Sequence, residues 1–360
     1  QKVTFLNGIK FFNSGSYEEA YEFFSKSINY PNDNGIFVQS HFWKAQSAYE
    51  LKEFSSAIES FLKFKKFNIG AFFEESLLLN YHLAYSLFKL ERYEEAILNF
   101  QKILNKKQLI PKKVINDTYL RIGDAYFLLS DYLPAINYYD KSISVSPDNS
   151  EYALFQKAMS YGYLDRDKEK NETLKKLISI KSSSYLVDDS LYELGNYFSS
   201  IGSYDLAIKN YDRLINNHKN SKLFARTKLN KGLALYNMGK IEASDSLLRN
   251  LAIDLKDNPI TLQALKTLKE IAVDLDNISE FTTWVRTFNF KTFSDNELER
   301  TAFEVVENYF LQGERKRAEK AINIYLQSYP NGRYSVVSIF YLAEIYFFQE
   351  KWDLALKSYL

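Results

Sequence analysis

Histidine is the side chain best suited to acid–base or metal chemistry near neutral pH, and this chain has only three, His41, His82 and His218. They are too far apart to form the His-x-x-x-His pattern through which one helix presents two metal ligands. The chain has no cysteine, which excludes disulfides, thiolate catalysis and cysteine-bound zinc. We therefore expect His41 and His82 to be partly buried or to face a groove, and we predict no metal and no cofactor.

The acidic residues also lack a catalytic arrangement. Adjacent pairs such as Glu18–Glu19 and Glu94–Glu95 fall where helices are predicted to begin, and carboxylates there complement the helix dipole. Neighbouring residues on a helix point about 100° apart, so neither pair is well placed to share a proton. The sequence has no Gly-x-Ser-x-Gly elbow, no P-loop and no dinucleotide-binding glycine motif. These observations predict that the protein is not an enzyme.

A near-repeat of about 37 residues organises the chain. Equivalent alanines are separated by 37, 39, 39, 72, 111 and 37 residues, where the two long gaps span two and three copies. A period of this length indicates a solenoid. We count ten copies, the last one incomplete at Leu360, and the alanines that set their phase are Ala20, Ala57, Ala96, Ala135, Ala207, Ala318 and Ala355.

The pattern of each copy predicts a helix–turn–helix hairpin. Apolar residues between Gly123 and Ala135 fall at helical spacing, and small residues at these two places let two antiparallel helices approach closely. A glycine such as Gly202 is expected to end the first helix, because it adopts positive φ at low cost. A lone hairpin cannot bury its apolar side, so stacking supplies the stability. The predicted fold class is an all-α, right-handed solenoid of about ten hairpins.

These positions resemble the tetratricopeptide repeat, whose pattern is Leu-Gly, Tyr, Gly, Tyr, Ala, Phe or Tyr, and Pro. Residues 117–147 match nearly every position, with Ser130 where glycine is usual. The resemblance covers essentially the whole chain, weakly at 151–180 and 260–287, and the period exceeds the usual 34 residues by about three. It implies a non-catalytic scaffold for protein or peptide partners.

The longer period also resembles bacterial envelope proteins, namely the Tol–Pal coordinating proteins, the outer-membrane assembly lipoproteins and large repeat proteins of the Bacteroidota. This resemblance, with the absence of cysteine, predicts a scaffold in the periplasm or at the periplasmic face of the outer membrane, as part of a larger complex. It would act in envelope assembly, secretion or motility. The alternative is a cytosolic adaptor or peptide-binding regulator. Gln1 could be a mature N-terminus or an arbitrary boundary, and we expect the native chain to continue past Leu360.

Charge argues against nucleic acid as a partner. The chain has 46 basic and 45 acidic residues, whereas an RNA-binding helical repeat of the pentatricopeptide type needs a basic groove. No apolar run approaches the roughly 18 residues of a membrane span, and no signal peptide is visible. We therefore predict protein or peptide partners, no nucleic acid and no membrane span in this chain.

The resemblance also implies which side chains line a binding groove. In stacked repeats of this family the first helices form the concave side, and the repeat phase places aromatic residues there with few charges. Such a groove suits a peptide held by apolar anchors, although the same aromatics could instead pack between repeats. The predicted groove residues are Phe42, Gln46, Tyr49, Tyr81, Tyr85, Phe88, Asp124, Phe127, Phe155, Tyr192, Asn196 and Tyr236.

The family's carboxylate clamp, which grips chaperone C-termini, is not expected. Asn196 and Asn230 occupy its asparagine places, but Tyr192 stands where lysine is needed. The predicted organisation is repeats 1–7 in residues 1–258, a degenerate repeat and possible hinge at 259–294, and repeats 9–10 at 295–360, truncated at the C-terminal end.

Overall fold

The computed structural model describes residues 1–68, 75–105, 107–180, 185–256, 258–275, 277–288, 290 and 294–360. In this part of the chain there are twenty α-helices, two short 3₁₀ helices and no β-strand. The chain packs as two compact units, Gln1–Ser190 and Leu191–Leu360. The predicted all-α fold is confirmed, and the twenty helices pair into the ten predicted hairpins.

The first unit holds five hairpins, each made of an odd-numbered first helix and an even-numbered second helix. The 3₁₀ helices Lys107–Leu109 and Pro147–Asn149 lie in two of the connections between hairpins. The α-helices are α1 (Lys2–Asn13), α2 (Tyr17–Asn29), α3 (Asn34–Glu50), α4 (Phe54–Phe67), α5 (Glu75–Lys89), α6 (Tyr93–Leu104), α7 (Lys112–Leu128), α8 (Tyr132–Val145), α9 (Glu151–Gly162) and α10 (Asp167–Ile180).

The second unit holds the other five hairpins, and its first helix begins a few residues before the unit boundary. No helix among the described residues of either unit has both the length and the hydrophobicity that a membrane span requires. The α-helices are α11 (Val187–Ser200), α12 (Tyr204–Asn217), α13 (Phe224–Asn237), α14 (Ile241–Asp254), α15 (Pro259–Asp274), α16 (Ile278–Phe288), α17 (Asp295–Leu311), α18 (Arg315–Ser328), α19 (Ser335–Phe348) and α20 (Trp352–Tyr359).

Small residues hold the two helices of a hairpin together, as the sequence predicts. The seven alanines that set the repeat phase are all buried. Gly123 lies in the first helix α7, and a Cβ added there would be only 2.7 Å from the ring of Tyr139 in the second helix α8. Gly195 faces the ring of Tyr211 in the same way in the second unit. Glycine in the first helix therefore makes room for a tyrosine sixteen residues later.

Among the described residues, the turns inside nine of the ten hairpins each contain one residue with positive φ. Gly202 supplies it with φ 73°, which confirms glycine as the predicted end of the first helix. Ser130 occupies the same place with φ 61°, so the backbone keeps this conformation even where a side chain makes it costly. Four of the five turns in the first unit use such a residue, namely Lys52, Glu91, Ser130 and Asp165.

The degenerate repeat forms a regular hairpin, α15 and α16, within the second unit. Leu268 and Phe281 are fully buried there, and Trp284 packs 5.2 Å from Phe290 between ring centroids. Bulky apolar packing thus replaces the small residues that this copy lacks. Residues 276, 289 and 291–293 lie outside the described part, and the hinge stays a prediction.

Candidate partner-binding faces

The first helices of neighbouring hairpins contact one another along one side of each unit, which we call the first-helix face. In the first unit, the Tyr81 hydroxyl of α5 donates to Asp117 Oδ2 of α7 at 2.7 Å. In the second unit, the rings of Phe310 in α17 and Tyr341 in α19 stack with centroids 4.0 Å apart. The face is the surface on which the sequence places the binding groove.

The predicted groove residues differ in their exposure. Phe42, Gln46 and Asp124 are buried, so they support the face from within. The other nine are half-buried and leave part of each side chain open to a partner; they are Tyr49, Tyr81, Tyr85, Phe88, Phe127, Phe155, Tyr192, Asn196 and Tyr236. Their role in binding remains a prediction.

A polar network crosses the first-helix face of the first unit. Arg121 Nη1 donates to Asp124 Oδ2 at 2.6 Å, and Arg121 Nε lies 3.4 Å from Asp117 Oδ1. The hydroxyls of Tyr139 and Tyr152 both donate to Asp124 Oδ1 at 3.0 Å. Three donors therefore satisfy one carboxylate. We call these residues, with Tyr81 and Tyr85 on Asp117, the Asp124 network.

The Asp124 network is largely buried. The side chains of Arg121 and Asp124 are 27% and 8% exposed, so their ion pair is not the exposed pair that neighbouring helix turns usually form. The pair lies instead within a largely buried network. Burial raises the pKa of Asp124, and Arg121 with the two tyrosine hydroxyls opposes that rise. Burial, and then the charge of Asp124, raise the pKa of Tyr152 to about 12, which keeps its hydroxyl a donor.

On the first-helix face of the second unit, neutral amide side chains take the place of the charged side chains of the Asp124 network. The Tyr211 hydroxyl donates to Asn196 Oδ1 at 2.8 Å, and Asn230 Nδ2 donates to the same oxygen at 2.9 Å. Asn230 also lies 3.2 Å from the Tyr192 hydroxyl. The two asparagines of the carboxylate-clamp comparison thus bond to each other.

One position of every first helix recurs with the repeat. It directly follows the small residue or its equivalent, and we call the set the column. Tyrosines from second helices donate to three column residues, Asp124, Asn196 and Glu344. The column is Ile9, Gln46, Tyr85, Asp124, Met159, Asn196, Leu233, Glu270, Glu307 and Glu344.

The histidines of α3 and α5 pack against aromatic rings. His41 is buried beside Phe37 and Phe67, and neither of its ring nitrogens has a hydrogen-bond partner in the described structure. Burial, then Lys63 and Lys44, lower the pKa of His41 to about 4. No group of metal-ligating side chains occurs among the described residues. His41 is therefore neutral at pH 7 and serves packing.

Comparisons with known proteins agree with the repeat. Family models described as tetratricopeptide repeat match residues 78–105, 117–149 and 189–221. These segments cover most of hairpins α5–α6, α7–α8 and α11–α12. No curated protein matches the chain.

Several solved structures are similar to part of the chain. MamA from Desulfovibrio magneticus RS-1 is 16% identical with a TM-score of 0.43, over 51% of this chain and 96% of that one. YrrB, described as a TPR protein with an unusual peptide-binding site, is 15% identical with a TM-score of 0.43, over 51% and 87%. A tetratricopeptide repeat protein from Parabacteroides merdae is 13% identical with a TM-score of 0.45, over 73% and 96%.

Proposed function

Because the chain carries tetratricopeptide repeats, we propose that it is a non-catalytic scaffold whose first-helix faces bind protein or peptide partners. The observation that supports this most directly is the row of half-buried aromatic side chains on these faces, which includes Tyr85, Phe127 and Phe155 in the first unit. Half-buried aromatic rings held by a rigid support are well suited to anchor a partner, because they bring apolar area at little entropic cost.

The Asp124 network supplies the rigidity in the first unit. It links α5, α7, α8 and α9 through hydrogen bonds that fix the tyrosines before any partner arrives. A surface whose side chains are already ordered loses less conformational entropy on binding. The network therefore has a supporting role, and the half-exposed rings around it make the contacts.

Photo-crosslinking in cells tests which face binds. We would replace Phe155 on the first-helix face with a photoreactive phenylalanine analogue, and in a control variant replace Leu133, an exposed residue of the second helix α8. Crosslinks to partner proteins are expected from position 155 and not from position 133. Equal crosslinking at both positions, or none at either, would contradict the proposal.

We further propose that the protein works in the bacterial envelope, in the periplasm or at the periplasmic face of the outer membrane. The cysteine-free composition and the period three residues longer than usual support this location. Fractionation of cells expressing the tagged native protein tests it. Recovery with periplasmic and outer-membrane markers is expected, whereas recovery with cytosolic markers would favour the cytosolic adaptor.

A further inference from the structure

A cavity of about 180 Å³ lies between α16, α17 and α18 in the second unit. Most of its lining is buried, and the remaining residues border an opening to solvent. The buried lining residues are Ile278, Thr282, Ala302, Val305, Ala321 and Tyr325, and the exposed ones are Asn277, Lys320 and Ser328. The cavity is therefore a space inside the core of these helices with an outlet at the surface.

Two alanines account for this space. Ala302 of α17 lies four residues before the small-residue position of its helix, and Ala321 of α18 lies three residues after Ala318. In hairpin α7–α8 the same two positions hold Tyr119 and Tyr138, whose ring centroids lie 6.3 Å apart. Methyl groups thus stand where another hairpin places two rings, and the volume of the missing side chains stays open.

The cavity has the size of a small aromatic molecule. A cavity of about 150 Å³ with an aliphatic and aromatic lining stays dry and binds benzene. The cavity beside Ala302 and Ala321 is somewhat larger than that, so it has room for one six-membered ring with a short substituent.

The buried polar groups of the lining already have partners. The Thr282 hydroxyl donates to the backbone oxygen of Ser279 at 2.9 Å, and the Tyr325 hydroxyl donates to Glu299 Oε1 at 2.8 Å. The other four buried lining residues are aliphatic. Because a buried water needs two to four polar partners, this interior favours an apolar group over water. Any polar group of a ligand belongs at the exposed opening, beside Lys320.

We propose that this cavity binds a small molecule whose buried part is a single apolar ring. The ring lies against Ile278, Ala302 and Ala321. Because α16 belongs to one hairpin and α17 and α18 to the next, the bound molecule contacts two neighbouring hairpins and stabilises their association by mass action. None of the described lining residues belongs to the column or to the predicted groove, so this site is separate from the proposed partner-binding surface.

Fluorine NMR tests the proposal with the full chain and 4-fluorotoluene as the ligand. Burial of one aromatic ring removes roughly 150–250 Å² from water, which predicts a Kd of about 1 mM or tighter. Binding should broaden the fluorine signal of 4-fluorotoluene. The signal of 1-fluoronaphthalene should stay sharp, because two fused rings exceed the cavity.

Two variants fill the cavity from different helices. Ala302→Leu and Ala321→Leu each place a larger side chain in the space, so each should bind 4-fluorotoluene about tenfold more weakly. The matched control Ala243→Leu makes the same change at an exposed position of α14 and should bind as wild type does. Unchanged circular dichroism verifies that each variant folds.

A third variant enlarges the cavity. Ile324 is a half-buried lining residue, and Ile324→Ala removes most of its side chain without a change at the core of the hairpin. This variant should broaden the signal of 1-fluoronaphthalene, which the wild-type chain excludes. Such a change in size selectivity separates binding in the cavity from adsorption to exposed apolar side chains.

Three results would overturn the inference: no binding of 4-fluorotoluene by the wild-type chain, wild-type affinity in both filled variants, or an equal loss in the matched control. The scaffold proposal has a separate outcome. If position 155 crosslinks to partners while 4-fluorotoluene does not bind, only the cavity inference fails. If 4-fluorotoluene binds while no partner crosslinks anywhere, the scaffold proposal fails and the cavity inference stands.

Discussion

Asp124 in the first unit and Glu307 in the second occupy the same column position with opposite surroundings. Asp124 is buried and accepts hydrogen bonds from Arg121, Tyr139 and Tyr152. Glu307 is half-exposed, and no hydrogen bond or ion pair reaches it from the described residues. The same place in the repeat can therefore support the fold in one hairpin and remain available to a partner in another.

Removal of each carboxylate in turn tests this difference most severely. Asp124→Ala leaves Arg121 in a largely buried site without its closest carboxylate, so we expect a loss of about 3 kcal/mol in the free energy of unfolding. Glu307→Ala removes an unpaired, half-exposed charge and should change it by about 0.5 kcal/mol or less. Urea denaturation followed by circular dichroism measures both, and similar losses would remove the distinction.

The glycine before Asp124 tests how the buried site is built. Gly123→Ala would place a Cβ 2.7 Å from the Tyr139 ring and push the hydroxyl away from Asp124. We expect a cost of about 1–3 kcal/mol from the crowding, measured by the same denaturation. Adding Tyr139→Leu should cost less in the Gly123→Ala background than in wild type, because the crowded ring is already displaced. Strict additivity would show that the ring is not what Gly123 accommodates.

The smallest expected effect concerns the turns, where the two units also differ. Ser130 holds φ 61° in the first unit, and Gly202 holds φ 73° at the equivalent turn in the second. Ser130→Gly should stabilise the chain by about 1 kcal/mol, since glycine adopts positive φ without a Cβ contact. Gly202→Ser should destabilise it by a similar amount. Thermal melting compares the two, and a shift of the same sign in both variants would contradict this reading of the turns.

The regular parts of the fold are predictable because few residue types fit a close contact between helices or a turn with positive φ. Ala135 and Ala207 recur where two helices approach closely, and Gly202 and Gly239 recur where the turn needs positive φ. The degenerate hairpin was harder to recognise, because its helices pack through Leu268 and Phe281 and no small residue marks its phase.

The candidate site was predicted only in part. The pattern placed Asp124 on the first-helix face, but it missed Asp117, Tyr139 and Tyr152. The contact between Tyr139 and Asp124 did leave a signal in the sequence. A polar residue directly after the first-helix glycine is followed fifteen positions later by a tyrosine, both in Asp124–Tyr139 and in Asn196–Tyr211. Tyr152 comes from the following hairpin, and Tyr81 and Tyr85, which donate to Asp117, come from the preceding one. The geometry of these contacts depends on how the hairpins stack.

The column has a consequence for how such a protein can diversify. Its residues change from Ile9 through Asp124 to Glu344 without any change in the hairpin that carries them. Each hairpin depends mainly on its neighbours for stability, so a substitution in the column changes the surface of one hairpin and leaves distant hairpins intact. Duplication of a hairpin would add one more column position to the array without changing the others.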